Sequence, residues 1–217
     1  MIFSNLIEVF LHLDKYLDIL IRNFGIFSYL ILFFIIFMET GFVITPFLPG
    51  DSILFATGAF AAIGSLNITL VFLVMFAAAV AGDTVNYWIG YYIGDKILEK
   101  DTKIIKKKYI EKTKQFYKKY GGITIVLARF VPIVRTFAPF VAGVGVMKYK
   151  RFIIFNVLGG FLWTLLFIFS GYFFGNISFV KNNFELVIIV IILISILPMI
   201  IEFIKSRLNK DKSDDIQ

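Results

Sequence analysis

Ile123-Thr-Ile-Val-Leu-Ala-Arg129-Phe-Val-Pro132-Ile-Val-Arg135-Thr-Phe-Ala-Pro139-Phe-Val-Ala-Gly143 reads as membrane interior apart from its two arginines. A guanidinium in hydrocarbon costs roughly 2.5 to 3.5 kcal/mol on insertion scales, and prolines at 132 and 139 rule out one simple straight helix. Charge and broken backbone in the same segment indicate a site rather than a wall. Non-helical backbone at membrane depth must face protein or water, so the segment is expected to be a helical hairpin that enters and leaves on one side.

The rest of the chain supports that setting. It has 217 residues, of which 59% are hydrophobic and 27 are phenylalanine; its mean hydropathy is +0.86. Such a composition cannot supply the polar surface of a water-soluble domain, and an all-α polytopic membrane protein is expected. Uncharged runs from Ser52 to Gly82, Phe152 to Gly175 and Leu186 to Ile201 can each supply most or all of the ~20 residues a spanning helix needs. The N-terminus lacks a basic start and carries Glu8, Asp14 and Asp18, unlike a cleaved signal peptide.

No cysteine and a single histidine, His12, remove thiolate chemistry and nearly every histidine-based metal or acid/base site. His12 itself reads as interfacial. No catalytic residue, metal or cofactor is expected. Embedded enzymes fit poorly: there is no Gly-x-Ser-Gly nucleophile with a membrane histidine, no Gly-x-Gly-Asp motif and no His-Glu-x-x-His.

Net charge is +7, and residues 96–119 alone hold ten lysines against three acids. A lysine-rich loop between apolar segments marks the cytoplasmic side, with anionic headgroups as its partner and no role for nucleic acid. The expected organisation is therefore an N-terminal amphipathic interfacial helix over 1–24, a membrane domain over 25–175, a C-terminal transmembrane helix over 184–204 and a cytoplasmic tail over 205–217. Within 25–175 come a hairpin at 25–63, a transmembrane helix at 66–94, the basic cytoplasmic loop at 95–120, a hairpin at 121–147 and a transmembrane helix at 152–175.

Hairpin followed by helix thus occurs twice. The two helices end in similar text, Gly90-Tyr-Tyr-Ile-Gly94 and Gly171-Tyr-Phe-Phe-Gly175. With the lysine loop inside, Lys148, Lys150 and Arg151 mark the return of the second hairpin to that side, and Lys205, Arg207, Lys210 and Lys212 follow the last helix. The first hairpin then opens outward, and the two form inverted repeats whose tips meet from opposite faces. Substrate sites of transporters lie at such junctions.

The first hairpin would bring Glu39 and Asp51 to that junction, and the second Arg129 and Arg135. One reading is an ion-pair cluster that only holds the hairpins together, although apolar packing of similar volume is often as stable. The functional reading gives Arg129 and Arg135 the binding of a substrate phosphate and makes Glu39 and Asp51 the proton-coupling pair. Burial favours the neutral carboxyl and a neighbouring guanidinium the charged one, so such a pair can load and release protons. Asp83 and Asn86 are supporting positions, Asp83 as a cap or hydrogen-bond partner of the hairpin backbone. Pro49, Gly50 and Pro132 support the breaks. Trp88 and Trp163 read as lipid-facing or packing residues, and Gly82, Gly90, Gly94, Gly171 and Gly175 as close helix contacts.

These elements resemble the DedA family, also described as the SNARE-associated or VTT-domain family. The resemblance covers roughly residues 25 to 175 and rests on Glu39, Pro49-Gly50-Asp51, Gly82-Asp83, Asn86-Tyr87-Trp88-Ile-Gly90, the Arg129 to Gly143 motif, Met147 and Trp163. It implies a bacterial cytoplasmic-membrane protein with two re-entrant hairpins that translocates lipids at the expense of the proton motive force. It links the chain to undecaprenyl phosphate recycling or phosphatidylethanolamine movement, and so to envelope integrity and cell division. The functional residues it implies are Glu39, Asp51, Arg129 and Arg135, and it allows a homo-oligomer that the sequence alone does not indicate. A proton- or cation-coupled small-solute transporter and a non-transporting membrane scaffold are the alternatives.

Overall fold

The computed structural model describes residues 13–42, 50–98 and 117–175, with isolated positions at 115 and between 177 and 193. Expectations for residues 1–12 with His12, for Pro49, for most of the lysine loop, for most of the C-terminal helix and for the tail lie outside the described residues. Those described are helical, with no strand among them. The helices are α1 (Leu13–Phe24), α2 (Phe27–Gly41), α3 (Gly50–Ala62), α4 (Ile68–Leu98), α5 (Ile123–Ala128), α6 (Pro132–Val141) and α7 (Tyr149–Phe174). A π-helical turn, Ala142–Val146, joins α6 to the segment before α7.

Helix α1 is amphipathic: Leu17 is buried while Asp18 and Arg22, one turn apart, pair at 2.8 Å on its outer side. Helices α4 and α7 are predominantly apolar around their circumference, as a membrane span is, with Asp83, Asn86 and Asn156 as buried polar exceptions. With 31 and 26 residues they are about 46 and 39 Å long at 1.5 Å per residue, enough to cross a hydrocarbon core. Helix α4 runs on to Leu98 and α7 starts at Tyr149, slightly beyond the expected spans. They lie antiparallel: the Tyr87 ring stacks on Phe152 toward one end, and Phe72 meets Phe169 toward the other.

The shorter helices use this pair as a frame. Near the start of α4 the Asn67 amide donates to the Tyr29 hydroxyl at 2.8 Å, and further along α2 reaches Gly82 with Thr40, so α2 climbs alongside α4. Helix α3 then doubles back along the second half of α7. From the other end, Gly122 lies against Phe155 and α5 follows the first half of α7, while α6 lies along the second half of α4. The chain turns into each long helix at a glycine with positive φ, Gly64 (+79°) and Gly145 (+93°), a conformation that L side chains rarely adopt.

Two crossings bring backbones into direct contact. A Cβ at Gly58 of α3 would collide with the Ile168 carbonyl of α7, and one at Gly171 would collide with the Phe55 carbonyl in return. The same exchange joins α6 and the π-helical turn to α4: Gly143 of the turn faces the Tyr87 carbonyl, and Gly90 faces the Phe140 carbonyl of α6. Small residues are what permit this approach, so the close-packing role expected of Gly82, Gly90, Gly171 and Gly175 holds.

Candidate functional site: a buried ion cluster

Described residues close to the breaks of the two helical units meet, Glu39 and Asp51 of the first with Arg135 of the second. Residues Arg129-Phe130-Val131 leave the helix between α5 and α6, because Val131 is extended (φ −126°, ψ 103°) as a residue before proline prefers, and Pro132 opens α6 where its missing N–H costs nothing. Pro139, in contrast, is accommodated inside α6. At the other break α3 starts at Gly50, whose amide donates to Glu39 Oε1 at 3.3 Å. Any Cβ at Gly50 would run into the Glu39 carboxylate, so this glycine is fixed by the site itself.

Arg135 projects from α6 to both carboxylates of the first unit. Its Nη2 pairs with Glu39 Oε1 and its Nη1 donates to Asp51 Oδ1 at 3.0 Å. Asp51 Oδ1 also accepts the indole N–H of Trp163 at 2.8 Å. All four residues are buried, with Glu39 and Trp163 at 0% exposure. This half of the junction matches the expectation that opposite charges come from opposite units.

Arg129 departs from it. Its Nη2 donates to Asp83 Oδ2 and to Asn156 Oδ1, both at 2.6 Å, rather than to Glu39 or Asp51. Asp83 is therefore the counter-ion of Arg129, and the role of binding hairpin backbone belongs to Asn86 instead. The Asn86 amide donates to the Thr40 carbonyl at 3.2 Å and the Thr136 carbonyl at 2.9 Å, joining the end of α2 and the middle of α6 to α4. Asn156 donates in turn to the Val80 carbonyl at 3.0 Å and Thr84 Oγ1 at 3.3 Å.

Trp163 is also reassigned. It was expected to face lipid or fill space, but its ring lies 5.7 Å from the Arg129 guanidinium and 5.2 Å from that of Arg135, between the two ion pairs. Cations over an indole face are stabilised by its quadrupole, most of all when desolvated. Asn156 was missed altogether, although a polar side chain inside the uncharged run from Phe152 to Gly175 is itself a signal of function.

The cluster thus holds three carboxylates, Glu39, Asp51 and Asp83, against two guanidiniums, one formal negative charge in excess. Its hydrogen bonding is incomplete: Arg129 Nε and Nη1, Arg135 Nε, Glu39 Oε2 and Asp83 Oδ1 are buried without a partner among the described residues. Buried polar groups are usually paired, and unpaired ones cost most where the dielectric is low. Among the described residues no group of three or more histidine, cysteine or carboxylate side chains is arranged to hold a metal ion.

Apolar side chains such as Ile154, Leu158, Leu166 and Phe173 face outward from α7 while the charges are turned inward. That inversion of the water-soluble pattern defines an integral membrane protein with an interior ionic site. A model of the VTT domain matches residues 48–173. Protein DedA of Escherichia coli is 52% identical over 205 residues, covering 93% of this chain and 94% of its own. An uncharacterized membrane protein of Mycobacterium tuberculosis is 41% identical over 186 residues, covering 83% and 82%, and inner membrane protein YqjA of Escherichia coli is 32% identical over 149 residues, covering 68% of each. No solved structure matches. The chain belongs to the DedA family of VTT-domain membrane proteins.

Proposed function

We propose that this protein is a proton-coupled carrier of an anionic phosphate-headgroup lipid in the bacterial cytoplasmic membrane, with undecaprenyl phosphate as the first candidate and a phospholipid as the second. The observation that carries the reading is the charge balance of the buried cluster: three carboxylates on two arginines, with guanidinium donors left over. A net negative cluster repels an anion. Uptake of one proton neutralises it and loosens one carboxylate from Arg135 or Arg129, after which a phosphate oxygen can take that place. Loss of the proton restores the ion pair and expels the phosphate. Glu39 and Asp51 share Arg135 and are the coupling pair; Arg129 and Arg135 hold the phosphate; Asp83, Asn86, Gly50, Pro49 and Pro132 support them.

The architecture in this reading is an inverted repeat of two re-entrant hairpins, α2–α3 and α5–α6, each followed by a spanning helix. The matched pairs Gly58–Ile168 with Gly143–Tyr87, and Gly171–Phe55 with Gly90–Phe140, support it, since each contact has a counterpart in the other half. The lysine-rich 95–120 loop and the C-terminus are assigned to the cytoplasm by their charge. Envelope maintenance and cell division are the processes such a carrier would serve.

The test is reconstitution in liposomes with labelled undecaprenyl phosphate and, separately, labelled phosphatidylethanolamine, with and without a pH gradient. Movement of undecaprenyl phosphate that depends on the gradient, and that disappears in the Glu39→Gln, Asp51→Asn double variant, is expected. Transport indifferent to both the gradient and the double substitution would sink the coupling, and no movement of either lipid would return the protein to the solute-carrier or scaffold reading.

A further inference from the structure

The helices divide into two interlocked sets. Helices α2 and α6 both pack on α4, whereas α3 and α5 both pack on α7. Within each set the contacts are backbone to backbone at glycine: Gly41, Gly90 and Gly143 in the first, Gly58, Gly159 and Gly171 in the second. Such contacts leave no slack. Between the sets, α4 meets α7 through side chains: Phe72 and Phe76 meet Phe161 edge-on at 5.6 and 6.2 Å, Tyr87 stacks on Phe152 at 4.6 Å, and Asn156 donates to the Val80 carbonyl at 3.0 Å and to Thr84 Oγ1 at 3.3 Å. Side-chain contacts of this kind can re-form after a small displacement, which a close backbone crossing at glycine cannot accommodate.

The ion pairs fall on this boundary in a reciprocal way. Arg135 of the first set reaches Asp51 of the second at 3.0 Å, and Arg129 of the second set reaches Asp83 of the first at 2.6 Å. Each set thus lends one guanidinium to a carboxylate of the other. Glu39, on α2, belongs to the same set as Arg135, so that ion pair crosses no boundary, although Glu39 Oε1 also accepts the Gly50 amide of α3 at 3.3 Å. Asn156 and Trp163, both on α7, brace the two pairs from the second set.

We infer that Asp83 is a positioning residue of the carrier, forming with Arg129 the second of two reciprocal latches that hold the helix sets in one relative position. Asp51–Arg135 is the first latch, and Glu39 holds the same guanidinium from within its own set through the other terminal nitrogen. This deepens the carrier reading and rests on it for the consequence of unlatching, but the latch itself is a statement about how the sets move. Release of either latch lets the sets rock about the ring-packed α4–α7 contact, so that separation grows at one end of the molecule and shrinks at the other.

The chain contains no cysteine, so spin labels can be placed without removing native thiols. One label pair at Phe27 and Phe173 spans the sets at one end, and a second at Tyr92 and Ile123 spans them at the other; all four side chains are exposed. Distances are measured by double electron–electron resonance in lipid nanodiscs. Asp83→Asn is expected to shift the two distances in opposite senses, each by about 5 Å, the size of a one-turn displacement. Asp51→Asn should do the same, and Asp83→Glu, which keeps the charge, should retain the parent distances. Unchanged distributions in Asp83→Asn, or separation at both ends together, would overturn the latch. Lipid movement measured on the same variants separates the two claims. Opposite distance shifts together with a parent protein that moves no lipid uphold the latch and remove the carrier reading; a parent that moves lipid but whose Asp83→Asn variant keeps the parent distances leaves the carrier and removes the latch.

Discussion

At Arg135 one guanidinium serves two carboxylates through two different nitrogens, a division that only a planar fork can make. Lysine, a point charge, satisfies one partner and abandons the other. Arg135→Lys is therefore expected to lower the unfolding free energy by about 1.5–3 kcal/mol, the worth of one charged hydrogen bond, whereas Arg135→Met strands two buried carboxylates and should cost about 3–5 kcal/mol. Unfolding titrations in mixed micelles would rank them; equal losses for the two variants would refute the fork. At Trp163 the ring and its N–H separate in the same way. Trp163→Phe keeps an aromatic face toward both guanidiniums but removes one donor to Asp51, and a loss of about 1.5–3 kcal/mol is expected from the charged hydrogen bond removed, measured by the same titration. The individual charges were legible in the sequence because each is expensive in an apolar segment. Their pairing was not: nothing in the spacing distinguishes Asp83 from Glu39 as the partner of Arg129, since partners come from helices brought together only by packing.

At the level of helices, glycine decides where packing is close and where the chain turns. Gly143 of the π-helical turn faces the Tyr87 carbonyl and Gly90 faces the Phe140 carbonyl, so Gly143→Val must push α4 and the turn apart. Overpacking of this kind costs about 1–3 kcal/mol, and a fall in thermal midpoint in detergent is the expected readout. Gly64→Ala tests the other role. No neighbour lies within reach of the added methyl, but the positive φ disfavours it by about 1–2 kcal/mol, so it should destabilise without moving any helix. Helix positions followed from apolar runs bounded by Pro, Gly and charge, and α2 through α7 lie close to where those signals put them. The division of 121–147 into α5, α6 and a π-helical turn was less legible, because Pro139 advertises a break that the helix absorbs while Val131 makes the real one.

For the whole molecule, the proposed orientation and the proposed response to pH both rest on charge. If the basic loop is cytoplasmic, Lys119→Cys should react with a membrane-impermeant maleimide only after the cells are permeabilised, and Ser65→Cys, at the α3–α4 turn, should react in intact cells. The opposite pattern would invert the topology. In the proposed carrier the cluster has an excess carboxylate, so each proton it takes up removes a charge that would repel a phosphate. Affinity for a phosphate-headgroup lipid should therefore rise as pH falls, and the slope should flatten in Glu39→Gln. Binding isotherms in nanodiscs across a pH series would check both, and an affinity that rises with pH would contradict the sign.

The sequence by itself determined the class of protein, the helical segments, the two broken units and the identity of the charged residues. Each of these follows from local facts: how long an apolar run is, where proline and glycine fall, and what a charge costs in hydrocarbon. Only the tertiary structure decided who pairs with whom: Arg135 with both Glu39 and Asp51, Arg129 with Asp83 and Asn156, Trp163 between them. The physical reason is that an ion pair across 46 or 96 positions of sequence exists only where backbones approach closely enough to align it, and here that approach is made at glycines whose neighbours belong to distant helices.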